Sequence, residues 1–191
     1  MTVAEPFASQ LDFETGVLRP TNLVLRRNLS DMANMYADED ARRKRMEESG
    51  DSLVYEVYAV ELPETAGHLL HSATVIHPGQ VGREYFMTKG HFHIKRDRAE
   101  IYLGIQGEGY LLLQKDDGQV RALAMAAGTV AYVPPYWGHR TANTGASPFA
   151  FFAAWPGDAG HDYETIEEKG FAKILVSRDG GPVLIENPKF R

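Results

Sequence analysis

From residue 53 onward, short runs of β-branched, aromatic and other apolar residues alternate with short polar turns. The runs predict strands at 53–60, 71–76, 100–105, 110–114, 120–125, 129–133, 149–155, 172–177 and 182–185. Glycine-containing turn signals separate them, for example at 78–79, 116–118 and 179–181. Short strands with turn signals every ~8–12 residues predict an all-β antiparallel sandwich or barrel. The absence of long helical patterns between the strands argues against a parallel α/β fold.

The first fifty residues carry a weaker pattern, which predicts an N-terminal arm with short helices. Ser30-Asp31 is a candidate cap for a short helix ending near Tyr36. The charged stretch 38–52 predicts a solvated helix or loop rather than a nucleic-acid patch, because acidic residues flank its arginines. We interpret residues 1–191 as one domain, with the arm at about 1–50 and a barrel at about 51–191.

The composition narrows the chemistry that is open to this chain. It has no cysteine, which excludes disulfide scaffolds, iron–sulfur clusters and thiol nucleophiles. Its formal net charge of −6 has the wrong sign for non-specific binding of nucleic acid. The first residues do not resemble a signal peptide, and no apolar stretch approaches the ~20 residues of a membrane span. We therefore expect a soluble, cytoplasmic protein that binds neither nucleic acid nor a membrane.

Two histidines two positions apart, His91 and His93, are the first candidates for chemistry. On a strand they would point to the same face and converge on one point, as adjacent metal ligands do. Glu100 opens the next predicted strand, and His139 follows near a later turn. Three imidazoles and one carboxylate suit a divalent transition metal and leave coordination positions open for a substrate. Without a metal, His91 and His93 would be polar residues on an exposed strand.

These residues resemble the two motifs of the cupin superfamily, whose members are jelly-roll-like double-sheet β-barrels that hold a metal. The first motif is matched by His91, His93, Glu100 and Gly107, and the second by Gly128, Pro134, His139 and Asn143. Two positions depart from the motifs. Six residues separate His93 from Glu100 instead of three or four, and Tyr136 stands where the second motif commonly has glycine.

Longer segments are similar to one branch, the archaeal-type cupin phosphoglucose isomerases. In chain order they are Thr88-Lys-Gly-His-Phe-His93, Ala99-Glu-Ile-Tyr102, Pro134-Pro-Tyr-Trp-Gly-His139, Ala159-Gly-His-Asp-Tyr163 and Glu168-Lys-Gly-Phe171. The resemblance extends from about Thr21 to Pro188, which is nearly the whole chain. A single His-x-His pair is generic, whereas this ordered set of segments is specific.

The resemblance implies a metal site, a substrate pocket and a homodimer. The implied metal ligands are His91, His93, Glu100 and His139. The implied sugar-phosphate pocket consists of Tyr55, Thr74, Thr88, Gly90, Tyr102, His161 and Tyr163. One divalent cation is expected per chain; iron(II) is our first choice, with nickel, manganese, cobalt and zinc as alternatives that the same ligands accept.

The chemistry of the individual residues agrees with this assignment. Glu100 and Tyr102 share one face of a strand, which places the phenol beside the carboxylate. Gly90 would let the backbone approach a phosphate closely. Lys89, Arg96 and Arg98 would supply positive charge for an anionic substrate. Trp155 stands where this family leads us to expect a tyrosine, so packing or its indole N–H would replace the hydroxyl.

The predicted activity is the interconversion of glucose 6-phosphate and fructose 6-phosphate, a step of glycolysis and gluconeogenesis. Glu100 is the predicted base for proton transfer between C2 and C1, with Tyr102 orienting it and His161 assisting ring opening. A hydride shift, with Glu100 remaining a ligand, is the alternative mechanism. Two other functions stay open: a cupin dioxygenase that uses iron(II), and a sugar-binding cupin without catalytic activity.

Overall fold

The computed structural model describes residues 5–190, and antiparallel strands dominate it. The strands are β1 (Gln10–Leu11), β2 (Leu18–Arg19), β3 (Leu23–Asn28), β4 (Leu53–Ala59), β5 (Leu69–Ile76), β6 (Gln80–Val81), β7 (Glu84–Tyr85), β8 (Glu100–Gln106), β9 (Glu108–Gln114), β10 (Val120–Ala126), β11 (Val130–Val133), β12 (Gly138–Asn143), β13 (Phe149–Pro156), β14 (Lys173–Arg178) and β15 (Gly181–Glu186). The helices are a 3₁₀ helix (Leu29–Met32), α1 (Glu39–Ser49) and α2 (Glu164–Lys169). These helices are too short and too polar to span a lipid bilayer.

One layer of the fold is a six-stranded sheet in the order β11-β8-β13-β5-β4-β3. Its long central pairs, β13 with β5 and with β8, place Glu100 and Tyr102 near the middle of the molecule. Strand β3 lies within the first fifty residues and forms one edge of this sheet by pairing with β4. The β1–β2 hairpin lies against the outer face, where Leu11 packs near Val75 and Ala150.

The opposite layer contains two smaller sheets, with strand orders β10-β9-β12 and β15-β14-β7-β6. The segment 86–91 joins them, because it leaves β7 and then hydrogen-bonds to β12. In this segment the amide of Thr88 donates to Thr141 O (2.9 Å), and the amide of His91 donates to His139 O (3.1 Å). His91 and His139 are thereby brought side by side by two different segments of the chain.

The main hydrophobic core fills the space between these layers. Its largest fully buried side chains are Tyr36, Phe86, Phe92, Phe149, Phe171, Leu29, Met32, Ile76, Leu111, Leu112 and Met125. Such close-packed side chains leave little freedom for the strands that they cover. The polar site described below is therefore held by a rigid apolar frame.

The predicted fold class is confirmed: the chain is an all-β, cupin-type barrel with short helices. The nine predicted runs are all present as strands, with shifts of one or two residues at their ends. The strands that were not predicted are β1, β2, β3, β6, β7 and β12. The cap of the first helix is Asn28, which pairs reciprocally with Asp31, so the predicted cap at Ser30 is wrong. Asn28 is the cap because its backbone amide donates a hydrogen bond to the Asp31 carboxylate (2.9 Å).

The segment 91–93 is extended but is not a regular strand, contrary to the prediction. His91 and Phe92 each form one isolated bridge, to His139 and Asp162 respectively. Gly90 has a φ of +76°, in the left-handed region, and this breaks the ladder immediately before them. The two imidazoles nevertheless face the same cluster, because the bridge to His139 orients His91 and the contact of His93 Nδ1 with the Arg98 carbonyl oxygen (3.0 Å) orients His93.

Candidate metal centre and active-site cavity

Four side chains converge between the two layers. His91 and His93 come from the extended segment after Gly90, Glu100 is the first residue of β8, and His139 lies in β12. One ligand atom from each of the four lies within 4.8 Å of the others. His93, Glu100 and His139 are buried, with at most 5% of their surface exposed. The predicted ligand set is thus brought together by three separate parts of the chain.

The Glu100 carboxylate is the centre of this cluster. Its Oε2 lies 3.1 Å from His93 Nε2 and 3.0 Å from His139 Nε2. Burial acts to raise the pKa of Glu100, but the two imidazoles outweigh it and hold that pKa below its usual range. The carboxylate is therefore ionised. His93 presents Nε2 to it because its Nδ1 lies 3.0 Å from the carbonyl oxygen of Arg98 and donates to it.

The free nitrogens of the cluster fit a divalent cation. His91 Nε2 is buried and has no hydrogen-bond partner in the described structure, and the one close polar contact of His139 Nε2 is with Glu100. A buried ring nitrogen without a partner costs free energy. A cation that accepts the nitrogen lone pairs would therefore stabilise the site. Burial, followed by the neighbouring His139, keeps the pKa of His91 well below its usual value, so its ring is neutral and able to ligate. Three imidazoles and one carboxylate are an N/O set for a first-row divalent metal.

A cavity of about 300 Å³ opens onto this cluster. Its lining includes every residue that the family resemblance assigned to the substrate or to catalysis: Tyr55, Thr74, Thr88, Gly90, Glu100, Tyr102, His161 and Tyr163. Tyr55 lies on β4, Thr74 lies on β5, and Glu100 and Tyr102 lie on β8. His161 and Tyr163 lie in the loop after β13. A volume of this size suits a small polar metabolite.

Two tyrosines of the cavity are buried phenols. Burial, and then the charge of Glu100, raise the pKa of Tyr102 well above its usual value, so its hydroxyl remains a donor. Burial and Tyr163 raise the pKa of Tyr55 to about 12, although Arg27 acts against this. Tyr102 is fixed by stacking on Phe151, with ring centroids 5.0 Å apart.

His161 lies at the mouth of the metal cluster. Its ring centroid is 4.4 Å from that of His91 and 5.8 Å from that of Tyr163, on which it stacks. The edge of Trp155 packs against it at 5.7 Å, which is the packing role suggested for this tryptophan. The indole Nε1 is buried without a partner. Burial lowers the pKa of His161, so its ring is mainly neutral at neutral pH.

The predicted source of positive charge is partly wrong. Lys89 lines the cavity, 3.7 Å from Glu167. Arg96 and Arg98 do not line it. Instead Arg96 donates to Asp162 (2.9 Å), and Arg98 pairs with an aspartate of the same loop. Acidic residues about sixty positions later in the chain neutralise both guanidinium groups.

Packing within the protein also requires glycine at position 90. A Cβ at this position would lie 2.9 Å from His139 O and 2.9 Å from Arg140 Cβ. The backbone therefore approaches neighbouring protein atoms closely here, and the predicted approach to a phosphate stays a prediction. Tyr136, which replaces the common glycine of the second motif, has a φ of +69° and thus keeps the backbone conformation for which glycine is usually selected.

Arg140 is a residue of this region that the sequence did not single out. It is 2% exposed, and its guanidinium donates to the carbonyl oxygen of Lys89 through Nη2 (2.6 Å) and Nε (3.1 Å). The same side chain lies over the ring of Phe171, 4.7 Å from its centroid. It therefore holds the Lys89–Gly90 corner from behind. The sequence signal that could have identified Arg140 was an arginine placed between two residues of a buried strand.

Comparisons with known proteins agree with the geometry. Residues 26–189 match the family model described as glucose-6-phosphate isomerase. The chain is 53% identical to the glucose-6-phosphate isomerase of Thermococcus litoralis over 191 residues, covering 100% of both chains. It is 51% identical to the enzyme of that name from Pyrococcus horikoshii, with 98% of each chain covered.

A more distant relative and a solved structure also match. The chain is 40% identical to the putative glucose-6-phosphate isomerase 1 of Rhizobium meliloti, covering 98% of this chain and 88% of that protein. Oxalate decarboxylase from Bacillus subtilis matches with a TM-score of 0.45 and 25% identity, covering 56% of this chain and 27% of that one. The family predicted from the sequence motifs is confirmed. The chain belongs to the glucose-6-phosphate isomerase family.

Proposed function

We propose that this protein is a metal-dependent aldose–ketose isomerase that interconverts glucose 6-phosphate and fructose 6-phosphate, a step of glycolysis and gluconeogenesis. The observation that carries the proposal is the cluster of His91, His93, Glu100 and His139, which opens into a cavity lined by hydroxyl groups. Relatives that are about half identical over the full chain bear the name of this activity.

The phosphate is held beside Tyr55, Thr88 and Lys89. The Tyr55 phenol lies next to the backbone amide of Lys89 and to the Arg27 guanidinium. Of the residues that line the described cavity, Lys89 is the one lysine or arginine, so its charge is available to a dianionic phosphate. The hydroxyls of Thr74 and Tyr163 complete the polar wall.

His91, His93, Glu100 and His139 would hold one divalent cation, with iron(II) as our first choice and nickel, manganese, cobalt and zinc as alternatives. When bound, such a cation supplies Lewis-acid polarisation of the sugar oxygens at C1 and C2. The remaining chemistry belongs to side chains. Both histidine contacts of Glu100 are made by Oε2, which leaves Oε1 to act on the substrate.

In the proton-transfer mechanism, Glu100 removes the proton from C2 of the open-chain aldose. The C2–H electron pair forms the C1=C2 bond of an enediol as O1 becomes a hydroxyl, and the proton gained by O1 balances the one that O2 gives up when it becomes the carbonyl. Glu100 returns its own proton to C1. Tyr102 stays protonated and orients the carboxylate. His161 exchanges the proton that opens the sugar ring.

A hydride shift would move the hydrogen from C2 to C1 with its electron pair, so Glu100 would never carry it. Turnover in deuterated water distinguishes the mechanisms. Deuterium at C1 of the fructose 6-phosphate establishes exchange through the enediol. Product without deuterium after many turnovers rules out free exchange and favours the hydride shift.

A coupled assay with chelated and metal-reconstituted protein tests the proposal itself. We expect chelation to abolish isomerisation, re-added metal to restore it, and alanine at His91 or His139 to remove nearly all activity with the fold retained. Retention of the fold is measured by circular dichroism. Unchanged sugar phosphate after incubation with metal-loaded protein would refute catalysis and indicate binding alone, whereas oxygen uptake with small aromatic substrates would indicate a dioxygenase.

The homodimer is part of the proposal. Ile101 and Tyr132 are paired neighbours on β8 and β11, and with Val130 they expose apolar surface at the outer face of the six-stranded sheet (45%, 58% and 64%). A second copy of the chain would cover this patch. Light scattering of the wild type should give twice the chain mass, and Tyr132→Lys should give a monomer; an unchanged dimer in that variant would exclude this surface.

The cytoplasm is the proposed location, because a sugar phosphate carries charges that do not cross a lipid bilayer freely. Fractionation of the native cells should recover the protein together with soluble isomerase activity. Recovery in a membrane or extracellular fraction would contradict it.

A further inference from the structure

The turn between His93 and Glu100, residues 94–98, is tied to the loop 157–163 by two aspartates of that loop. Asp158 accepts hydrogen bonds from Arg98 Nε (2.9 Å), Arg98 Nη2 (2.8 Å) and Lys95 Nζ (2.7 Å). The backbone strengthens the contact, since the amide of Lys95 donates to Ala159 O (2.9 Å). One carboxylate thus joins two cations of the turn to a loop that is about sixty residues away in the chain.

The turn connects two of the four candidate metal ligands, His93 and Glu100. The carbonyl oxygen of Arg98 lies 3.0 Å from His93 Nδ1 and so sets which ring nitrogen faces Glu100. When a metal ligand is an imidazole, the partner of its second nitrogen fixes the tautomer and the ring orientation. The position of the Arg98 backbone therefore bears directly on His93.

The loop carries His161. Its other aspartate, Asp162, accepts from Arg96 Nη2 (2.9 Å) and exchanges backbone hydrogen bonds with Phe92. Between the two aspartates, the His161 ring is held 4.4 Å from that of His91. The distance between His161 and the metal cluster is thus set by contacts between the turn and the loop.

We propose that Asp158 is a positioning residue of the metal centre: by binding Arg98 and Lys95 it holds the 94–98 turn against the His161 loop, and so orients His93 towards the cation. This inference rests on the metal site of the proposed function. Asp158 touches neither the ligand atoms nor the cavity lining, so it acts through Arg98.

The Asp158 contact differs from an ordinary surface ion pair, which contributes little. Its side chain is 9% exposed, and the Arg98 interaction is bidentate. Arg98, followed by Lys95, holds the pKa of Asp158 well below its usual range. Asp97 offers a matched comparison: it lies 2.9 Å from the same guanidinium, but its side chain is 60% exposed and it belongs to the turn itself. Of the two carboxylates on the Arg98 guanidinium, Asp158 is therefore the one that joins the turn to the loop.

The test compares Asp158→Asn with Asp97→Asn, because both remove a carboxylate from Arg98. Metal affinity is measured by competition with a chelator, and the cobalt(II)-loaded proteins are compared by their visible absorption bands, which report ligand geometry. We expect Asp158→Asn to weaken cobalt binding by about 10- to 100-fold and to alter the bands, and Asp97→Asn to match the wild type. Asp158→Glu, which keeps the charge, should recover part of the affinity.

Kinetics add a second reading. At saturating metal, Asp158→Asn should lower kcat more than it raises KM for glucose 6-phosphate, because the residue does not line the cavity but does locate His161. If Asp158→Asn fails to fold, Arg98→Lys takes its place, since it keeps the charge and loses the bidentate contact.

Two results would overturn the inference: unchanged cobalt affinity and bands in Asp158→Asn, or the same loss in Asp97→Asn. A wild type without isomerase activity, in which Asp158→Asn still weakens metal binding, would support this inference while refuting the proposed function. Isomerase activity of the wild type together with unaltered metal binding in Asp158→Asn would support the proposed function and refute this inference.

Discussion

Replacement of Gly90 by alanine tests how the fold positions the metal ligands. The residue precedes His91, and its φ of +76° lies in the left-handed region. An added Cβ would meet His139 O and Arg140 Cβ at 2.9 Å, which is closer than Cβ atoms normally approach other atoms. Because the His139 carbonyl accepts from the His91 amide, any shift that relieves the clash also moves two metal ligands.

The magnitude has two parts. A non-glycine residue in the left-handed region costs about 1–2 kcal/mol, and crowding in a packed interior costs a further 1–3 kcal/mol or so. We therefore expect Gly90→Ala to lower the free energy of unfolding by about 2–5 kcal/mol. Gly128→Ala isolates the first part, because Gly128 has a φ of +82° with no atom within 4 Å of the added Cβ. That control should lose only about 1–2 kcal/mol.

The assay is urea unfolding followed by tryptophan fluorescence, with a chelator present so that metal binding does not add to stability. The unfolded-state effect of replacing glycine by alanine is common to both variants and cancels in their difference. Metal affinity should fall in Gly90→Ala and stay unchanged in Gly128→Ala. Equal destabilisation of the two variants, or wild-type metal affinity in Gly90→Ala, would refute the reasoning.

Three further predictions follow from buried polar groups. Metal at about 100 times its dissociation constant should stabilise the wild type by about 2.7 kcal/mol, and thermal unfolding of His139→Ala should show no such increment. Asn143→Ala should cost about 2–4 kcal/mol in urea unfolding, because it strands buried backbone groups that the amide pairs with, including Ile76 O (2.9 Å); a loss below 1 kcal/mol or so would contradict this. Burial raises the pKa of Glu84 from its usual 4.5 to about 7. The folded state therefore binds this proton more tightly, and stability present below about pH 4.5 is lost as the pH rises through 7, by about 3 kcal/mol. Urea unfolding at pH 5 and pH 8 should show this loss in the wild type and a smaller one in Glu84→Gln; identical pH dependence would exclude Glu84 as its source.

The sequence by itself determined the all-β class, the positions of nine of the fifteen described strands and the candidate ligand set. Alternation of apolar and polar residues reports which side of a strand is buried, and this is a local property. The four candidate ligands were found because His91, His93, Glu100 and His139 stand in segments that resemble the two cupin motifs, despite the longer gap between His93 and Glu100. Even so, the segment 91–93 reached the predicted geometry by single bridges rather than as a strand, since Gly90 interrupts the ladder.

Only the tertiary structure decided what the charged residues near the site do. The basic turn 94–98 was expected to attract an anionic substrate, but Asp158 and Asp162 neutralise it and leave Lys89 in the cavity wall. Arg140 was not singled out by the sequence and proved to be a buried support for the Lys89 corner. Ion pairs and buried donors depend on atoms that lie within about 3 Å of each other in space. The order of residues along the chain does not record which distant segment will supply the partner, so these roles became visible only when the two layers were brought together.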